Sequence, residues 1–251
     1  MIPITKIVAG LAGVALLVVA GFAVWYFALR DDGPEAVSTE SALQALEQAT
    51  ATTASGNSGG TPAASARTPV AGSDELDGAW KVDTSLGSFV GYRVKEELAN
   101  IGGTTAVGRT AGVTGDVTIA DGRATAATIT ADMTKLRSQE SARDGQLRNQ
   151  GIEYAKFPTS EFKLSSTNIP DSVDDGETAT VTLNGSLTLH GVTKDISMPA
   201  EVTLKDGVLV VVGEVEVQFA DYAIQKPNAA RVVSMEDKGT IEVQLFFTKA
   251  A

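Results

Sequence analysis

From position 80 to position 249 apolar and polar residues alternate with a period of two, and this pattern restricts the fold more than any other feature. Val90, Tyr92 and Val94 alternate with Gly91, Arg93 and Lys95. Val113, Gly115, Val117 and Ile119 come next, then Ile129, Ala131 and Met133, Phe162 and Leu164, and Val181 through Leu189. Val202/Leu204, Val215/Val217/Phe219 and Ile241/Val243/Leu245/Phe247 complete the series. Successive side chains of a strand point to opposite faces, so each run reads as a strand with one wet and one apolar face. Asp121-Gly122, Asp175-Gly176 and Asp206-Gly207 lie between runs as two-residue hairpin signals. Eight or nine strands result, and turns this short require antiparallel pairing. One segment, 138–150, breaks the period; a Ser cap and mixed charges make it a short helix, weakened at Gly145.

Eight strands with one apolar face must close into a barrel or fold into a two-sheet sandwich. An eight-stranded barrel is just wide enough to be filled by side chains or to hold one small ligand. Parity turns Gly91 outward and Gly115, Ala131 and Gly185 inward, and small inward residues favour a cavity. The larger inward residues Tyr92, Phe162, Leu187, Leu189, Phe219 and Phe247 are the candidates for ligand contact, and plain core packing fits them equally. Tyr92 adds a hydroxyl able to meet a polar group at the end of an otherwise apolar ligand.

The N-terminus carries a second signal. Residues 7–29 form 23 consecutive positions without a charge, ending in Trp25, Tyr26 and Phe27. At about 1.5 Å per residue a helix of that length spans the ~30 Å hydrocarbon core of a bilayer. Lys6 precedes it and Asp31 and Asp32 follow Arg30. The positive-inside rule therefore makes 1–6 a cytoplasmic tip, 7–29 a transmembrane signal-anchor helix, and everything beyond extracytoplasmic. A cleavable signal peptide is the alternative, with Gly21-Phe22-Ala23 as a small-x-small site. Residues 30–79, rich in Ala, Ser, Thr and Gly, read as a flexible linker to a globular domain at 80–251. Within the linker, 38–48 reads as a short helix capped by Ser38 with Leu43 and Leu46 on one side, transient in a stalk or docked to a partner.

The remaining composition narrows the function classes. Net charge is −11, with 3 basic and 8 acidic residues in 1–79 and 17 and 23 in 80–251. No basic run exists to grip nucleic acid. The absence of cysteine removes disulfides, thiolate nucleophiles and Cys-ligated metals. His190, the single histidine, stands before Gly191 in a turn and reads as a ring hydrogen-bonded across that turn. No nucleophile elbow accompanies it, so neither a catalytic residue nor a metal or cofactor is expected. The acidic pairs Glu96/Glu97, Asp174/Asp175 and Glu236/Asp237 read as solvated charges at strand ends.

The ordered motifs carry a resemblance. Trp80-Lys81-Val82-Asp83 is followed by Ser88-Phe89-Val90-Gly91-Tyr92-Arg93-Val94, by Arg143-Asp144-Gly145-Gln146-Leu147-Arg148, and by Phe157-Pro158-Thr159-Ser160-Glu161-Phe162. The most specific stretch is Gly185-Ser186-Leu187-Thr188-Leu189-His190-Gly191-Val192-Thr193-Lys194, with Asp221-Tyr222-Ala223-Ile224 and the final strand after it. In this arrangement the domain resembles the YceI-like proteins, polyisoprenoid-binding domains with a lipocalin-like barrel. The resemblance implies an all-β, eight-stranded antiparallel barrel with one short helix, preceded here by the transmembrane helix and linker. It also implies a polyisoprenoid or isoprenoid-quinone chain in the barrel interior; with the N-terminal anchor and no catalytic constellation, the reading is a membrane-tethered lipid-binding protein that is not an enzyme. An envelope interaction protein with a filled core and no ligand is the alternative. Two departures bear on the ligand's polar end: the family often has histidine where this chain has Glu96 and Gln146.

Overall fold

The computed structural model describes residues 33–55, 76–173 and 177–250. The uncharged run 7–29, positions 30–32 and 56–75 of the linker, and the Asp175-Gly176 signal lie outside the described residues. Among the described residues no helix is long and apolar enough to cross a membrane. The barrel and its helices belong to the unit that begins at Glu35.

The alternating runs form the strands β1 (Gly78–Val82), β2 (Phe89–Leu98), β3 (Gly102–Thr110), β4 (Val113–Ala120), β5 (Arg123–Asp132), β6 (Arg137–Ser138) and β7 (Thr159–Leu164). They continue with β8 (Thr167–Asn168), β9 (Ala179–Leu189), β10 (Val192–Lys205), β11 (Val208–Gln218), β12 (Val232–Met235) and β13 (Lys238–Lys249). Eight of them pair in the cyclic order β1-β4-β5-β7-β9-β10-β11-β13 and back to β1, closing an antiparallel barrel. The seam is made by β13, which pairs through Phe247 and its successors with β1 and through Thr240–Gln244 with β2. The β2–β3 hairpin, edged by β12, prolongs the wall past the start of β13. Register follows parity: Ile129 opposes Phe162, Phe162 opposes Leu187 and Tyr92 opposes Ile241, so the apolar members gather on one face. Both described Asp-Gly turns adopt left-handed backbone at both residues, with φ of 51° and 69° at Asp121-Gly122 and 54° and 76° at Asp206-Gly207. That is the conformation a two-residue hairpin needs to match the strand twist.

Two alternating runs end one residue early. Met133 enters a 3₁₀ turn, Met133–Lys135, in which the Asp132 carboxylate accepts from the Thr134 N–H, and Phe219 opens another, Phe219–Tyr222. Of the three small inward residues, the two glycines add no interior volume. A Cβ on Gly185 would stand 2.8 Å from the Phe162 ring and one on Gly115 would stand 2.8 Å from Ile129 Cδ1. The backbone carbonyls of Lys163 and Thr128 lie closer still, so neighbouring atoms already fill those spaces.

Two helices, not one, accompany the barrel. The segment at 138–150 yields only α2 (Ser141–Leu147), after α1 (Thr39–Ser55) in chain order. The Asp144 carboxylate anchors α2 by accepting from Ser138 N at 2.9 Å and Ser138 Oγ at 2.7 Å. The transient stalk helix expected at 38–48 is instead longer and docked. Ala42 and Leu46 of α1 are buried against Val208, Val210, Val212 and Phe246 on the outside of the wall. Thr39 Oγ1 donates to the Glu201 carboxylate, and Arg109 Nη2 donates to the Glu35 carbonyl at 2.7 Å. Isolated, α1 would be marginal; the apolar outer stripe supplies what its own propensity lacks. Beneath the segment, Glu242 is fully buried with Arg109 Nε at 2.6 Å and Arg93 Nη1 at 3.7 Å, the charge compensation a buried carboxylate requires.

Candidate functional site

The barrel interior is not closed by its side chains. A cavity of about 230 Å³ runs inside, lined at one end of the barrel by Phe247 and Ile119 and at the other by Gly239, Val232 and Met235. The eight residue steps from Gly239 to Phe247 correspond to roughly 26 Å of strand at about 3.3 Å per residue. The space is therefore long and narrow. All six candidate residues, Tyr92, Phe162, Leu187, Leu189, Phe219 and Phe247, stand on its wall. Leu187, Leu189 and Phe247 are buried, while Tyr92, Phe162 and Phe219 are half-buried. Ala131 also lines it, as parity requires.

One part of the wall is polar. Arg143 of α2 and Glu96 of β2 both line the cavity and form an ion pair, Arg143 Nη2 donating to Glu96 Oε1. Glu96 is only 4% exposed, which corrects its reading as a solvated charge. It shares parity with Tyr92 and Val94, and that periodicity is the sequence signal for its inward position. Glu236 and Asp237 do lie exposed, as expected of strand-end acids. The second Glu96 oxygen and the Tyr92 hydroxyl are buried with no hydrogen-bond partner among the described residues. Burial raises the Tyr92 pKa well above its ordinary value, against a smaller lowering by the Arg143 charge. The hydroxyl is thus a neutral donor at any physiological pH. Gln146, the other departure from the family pattern, lines the same cavity from α2. Arg143, Glu96 and Gln146 are not among the six candidates, because charged and amide residues in a greasy barrel only make sense once α2 is seen to close over it.

Two loops cover this end. Leu147, Gly151 and Ile152 line it together with Ile224, Pro227 and Ala229, Gly151 lies against Pro227, and Asn228 N donates to Gln150 Oε1 at 2.9 Å. His190 fastens the same region but is absent from the cavity wall. Its Nδ1 is 3.0 Å from the Tyr222 carbonyl, and its Nε2 is 2.7 Å from Glu153 Oε2. The ring therefore ties two loops to the barrel rim and does not bond across its own turn. Among the described residues no cluster of His, Asp and Glu could hold a metal ion.

The geometry has counterparts among solved structures. A polyisoprenoid binding domain from Saccharophagus degradans, implicated in plant cell wall breakdown, superposes with a TM-score of 0.55 at 18% identity, over 68% of this chain and 98% of that one. BcnA of Burkholderia cenocepacia superposes with a TM-score of 0.52 at 15% identity, over 66% of this chain and 98% of its own. At such identities the likeness establishes a common fold. No curated protein sequence matches the chain. The family model of the YceI-like domain matches residues 80–247, nearly the whole barrel from its buried opening tryptophan to the strand that seals the seam. Two-thirds of the sequence, with the closed barrel and its interior cavity, thus places this chain in the YceI-like domain family.

Proposed function

We propose that the protein holds one long apolar lipid, a polyisoprenoid or isoprenoid quinone, in the barrel interior. We further propose that it does so at the extracytoplasmic face of a membrane to which residues 7–29 anchor it. The observation that carries the reading is the long, narrow cavity, apolar along most of its wall, with its ionisable lining residues Tyr92, Glu96 and Arg143 gathered in one part of it. Each buried CH₂ of such a chain contributes roughly 0.8 kcal/mol, so tight binding needs few polar contacts. The solved polyisoprenoid binding domain of the same fold adds support. An interaction protein with a solid core would have no use for this space.

The polar corner favours a neutral head. Glu96 already neutralises Arg143, while the free Glu96 oxygen accepts a hydrogen bond and the Tyr92 hydroxyl donates one. A prenyl alcohol fits that pair, donating to Glu96 and accepting from Tyr92, and a quinone carbonyl accepts from Tyr92 alone, whereas a diphosphate would face an uncompensated carboxylate. Native mass spectrometry of the full-length protein, followed by lipid extraction, tests the reading. One prenyl lipid per chain with a quinone or alcohol head is the expected result. A protein that is empty as isolated, and stays empty when incubated with such lipids, overturns it.

A further inference from the structure

The two large hydrophobic residues most exposed among the described residues, Ile101 at 42% and Val233 at 64%, lie at the same place. Ile101 ends the turn that joins β2 to β3. Val233 sits in β12, which pairs with the end of β2 through Leu98 and Val232. Ala99 N also donates to the Arg231 carbonyl at 2.8 Å, lacing the two segments together. A register shift between Val232 and Ser234 marks a bulge at Val233. Bulges re-aim side chains, and this one turns a valine into water. The tip so formed, residues 98–101 and 229–233, contains Leu98, Ala99, Ile101, Ala229, Ala230, Val232 and Val233. Its only polar members are Asn100 and Arg231, and none is a carboxylate, in a chain of net charge −11.

The tip is continuous with the cavity. Ala229 and Val232 line the interior while their neighbours Ala230 and Val233 are exposed on the outside. From this we infer that the tip is a docking surface for a lipid bilayer: Ile101 and Val233 enter its interfacial layer and the cavity end beneath them opens toward the lipid. The inference rests on the lipid-holding function proposed above. Chain length is compatible with it. The Glu35 carbonyl is pinned to Arg109, which pairs with Gly91, seven residue steps from Leu98 along β2. An anchor ending at residue 29 leaves six residues to reach Glu35, at most about 22 Å. The same seven steps of strand amount to roughly 23 Å. A tether of that length would let this tip reach the bilayer, and its freedom from acidic residues suits it to meet lipid.

The chain has no cysteine, so a single introduced thiol reports on a single position. Full-length Ile101→Cys, Val233→Cys and Asp206→Cys, the last in the turn at the opposite barrel end, would each carry an environment-sensitive fluorophore. Each would be reconstituted with phosphatidylcholine vesicles with or without brominated phosphatidylcholine. Labels at 101 and 233 should shift to the blue and lose emission severalfold to the brominated lipid, while the label at 206 stays unquenched. Equal wetness at all three sites, or quenching at 206 alone, overturns the inference. So does a blue shift that appears without vesicles and grows with protein concentration, which would assign the tip to a second copy. Bound lipid is measured in the same samples: a wet tip on a lipid-loaded barrel rejects docking alone, and a quenched tip on an empty barrel rejects the lipid-holding function alone. As a second readout, Ile101→Asp combined with Val233→Asp should slow transfer of a fluorescent polyprenol between vesicles about tenfold, the factor for each ~1.4 kcal/mol of docking lost. Transfer at the wild-type rate counts against docking.

Discussion

Arg143 and Glu96 place a charge pair in a wall that is otherwise uncharged and mostly hydrocarbon. Arg143→Ala leaves the Glu96 carboxylate buried without its cation, which should cost about 3–5 kcal/mol in guanidinium unfolding. Replacing both partners by leucine should recover most of that loss, because the penalty belongs to the orphaned charge and not to the missing attraction. Tyr92 makes a different prediction. Burial raises its pKa, so the native state keeps the phenol proton at a pH where the unfolded chain has released it. The associated stability is fully present below the unfolded value of 10.0 and is lost as pH rises above it. Urea unfolding at about pH 8 and about pH 11 should show this alkaline loss, and Tyr92→Phe should reduce it. Tyr222, also raised by burial, keeps its own share of the slope.

At the scale of elements, α1 carries the sharpest test. Leu46 is 2% exposed between the helix and the outer stripe of β11 and β13. Leu46→Ala should cost about 2–5 kcal/mol of docking. The expected signature is local: amides of α1 lose hydrogen-exchange protection while those of β9, β10 and β13 keep theirs. This helix also shows where sequence reading stops. Barrel strands are legible because closure rewards strict alternation, and one residue of slip would turn every apolar side chain to water. Docking of α1 is not legible from α1 itself, since Leu43 and Leu46 are a slender apolar face. Its partner is written elsewhere, in the unbroken apolar run 208–212 and in Phe246 beside Phe247, where alternation fails because both faces of the wall are covered. Glu96 misleads for the converse reason: its charge outweighs its inward parity until α2 brings Arg143 to it. The six wall residues can be read from parity alone, whereas the polar corner depends on a helix that only tertiary structure positions.

Over the whole molecule, the seam joins sequence extremes. Trp80 pairs with Lys249, so the ring closes only when the first and last strands meet, and within the ring of eight no strand edge is left to recruit another chain. Pairing at such separation makes closure a slow step of folding. Docking of α1 has a consequence of its own. The polypeptide between Ser55 and Leu76 is not the sole link between α1 and the barrel, because the helix grips the wall from outside. Protease cleavage between those positions should give two fragments that co-elute in size-exclusion chromatography and part only in denaturant. Severed there, the protein would remain one particle, its stalk behaving as a bound subunit of the domain it carries.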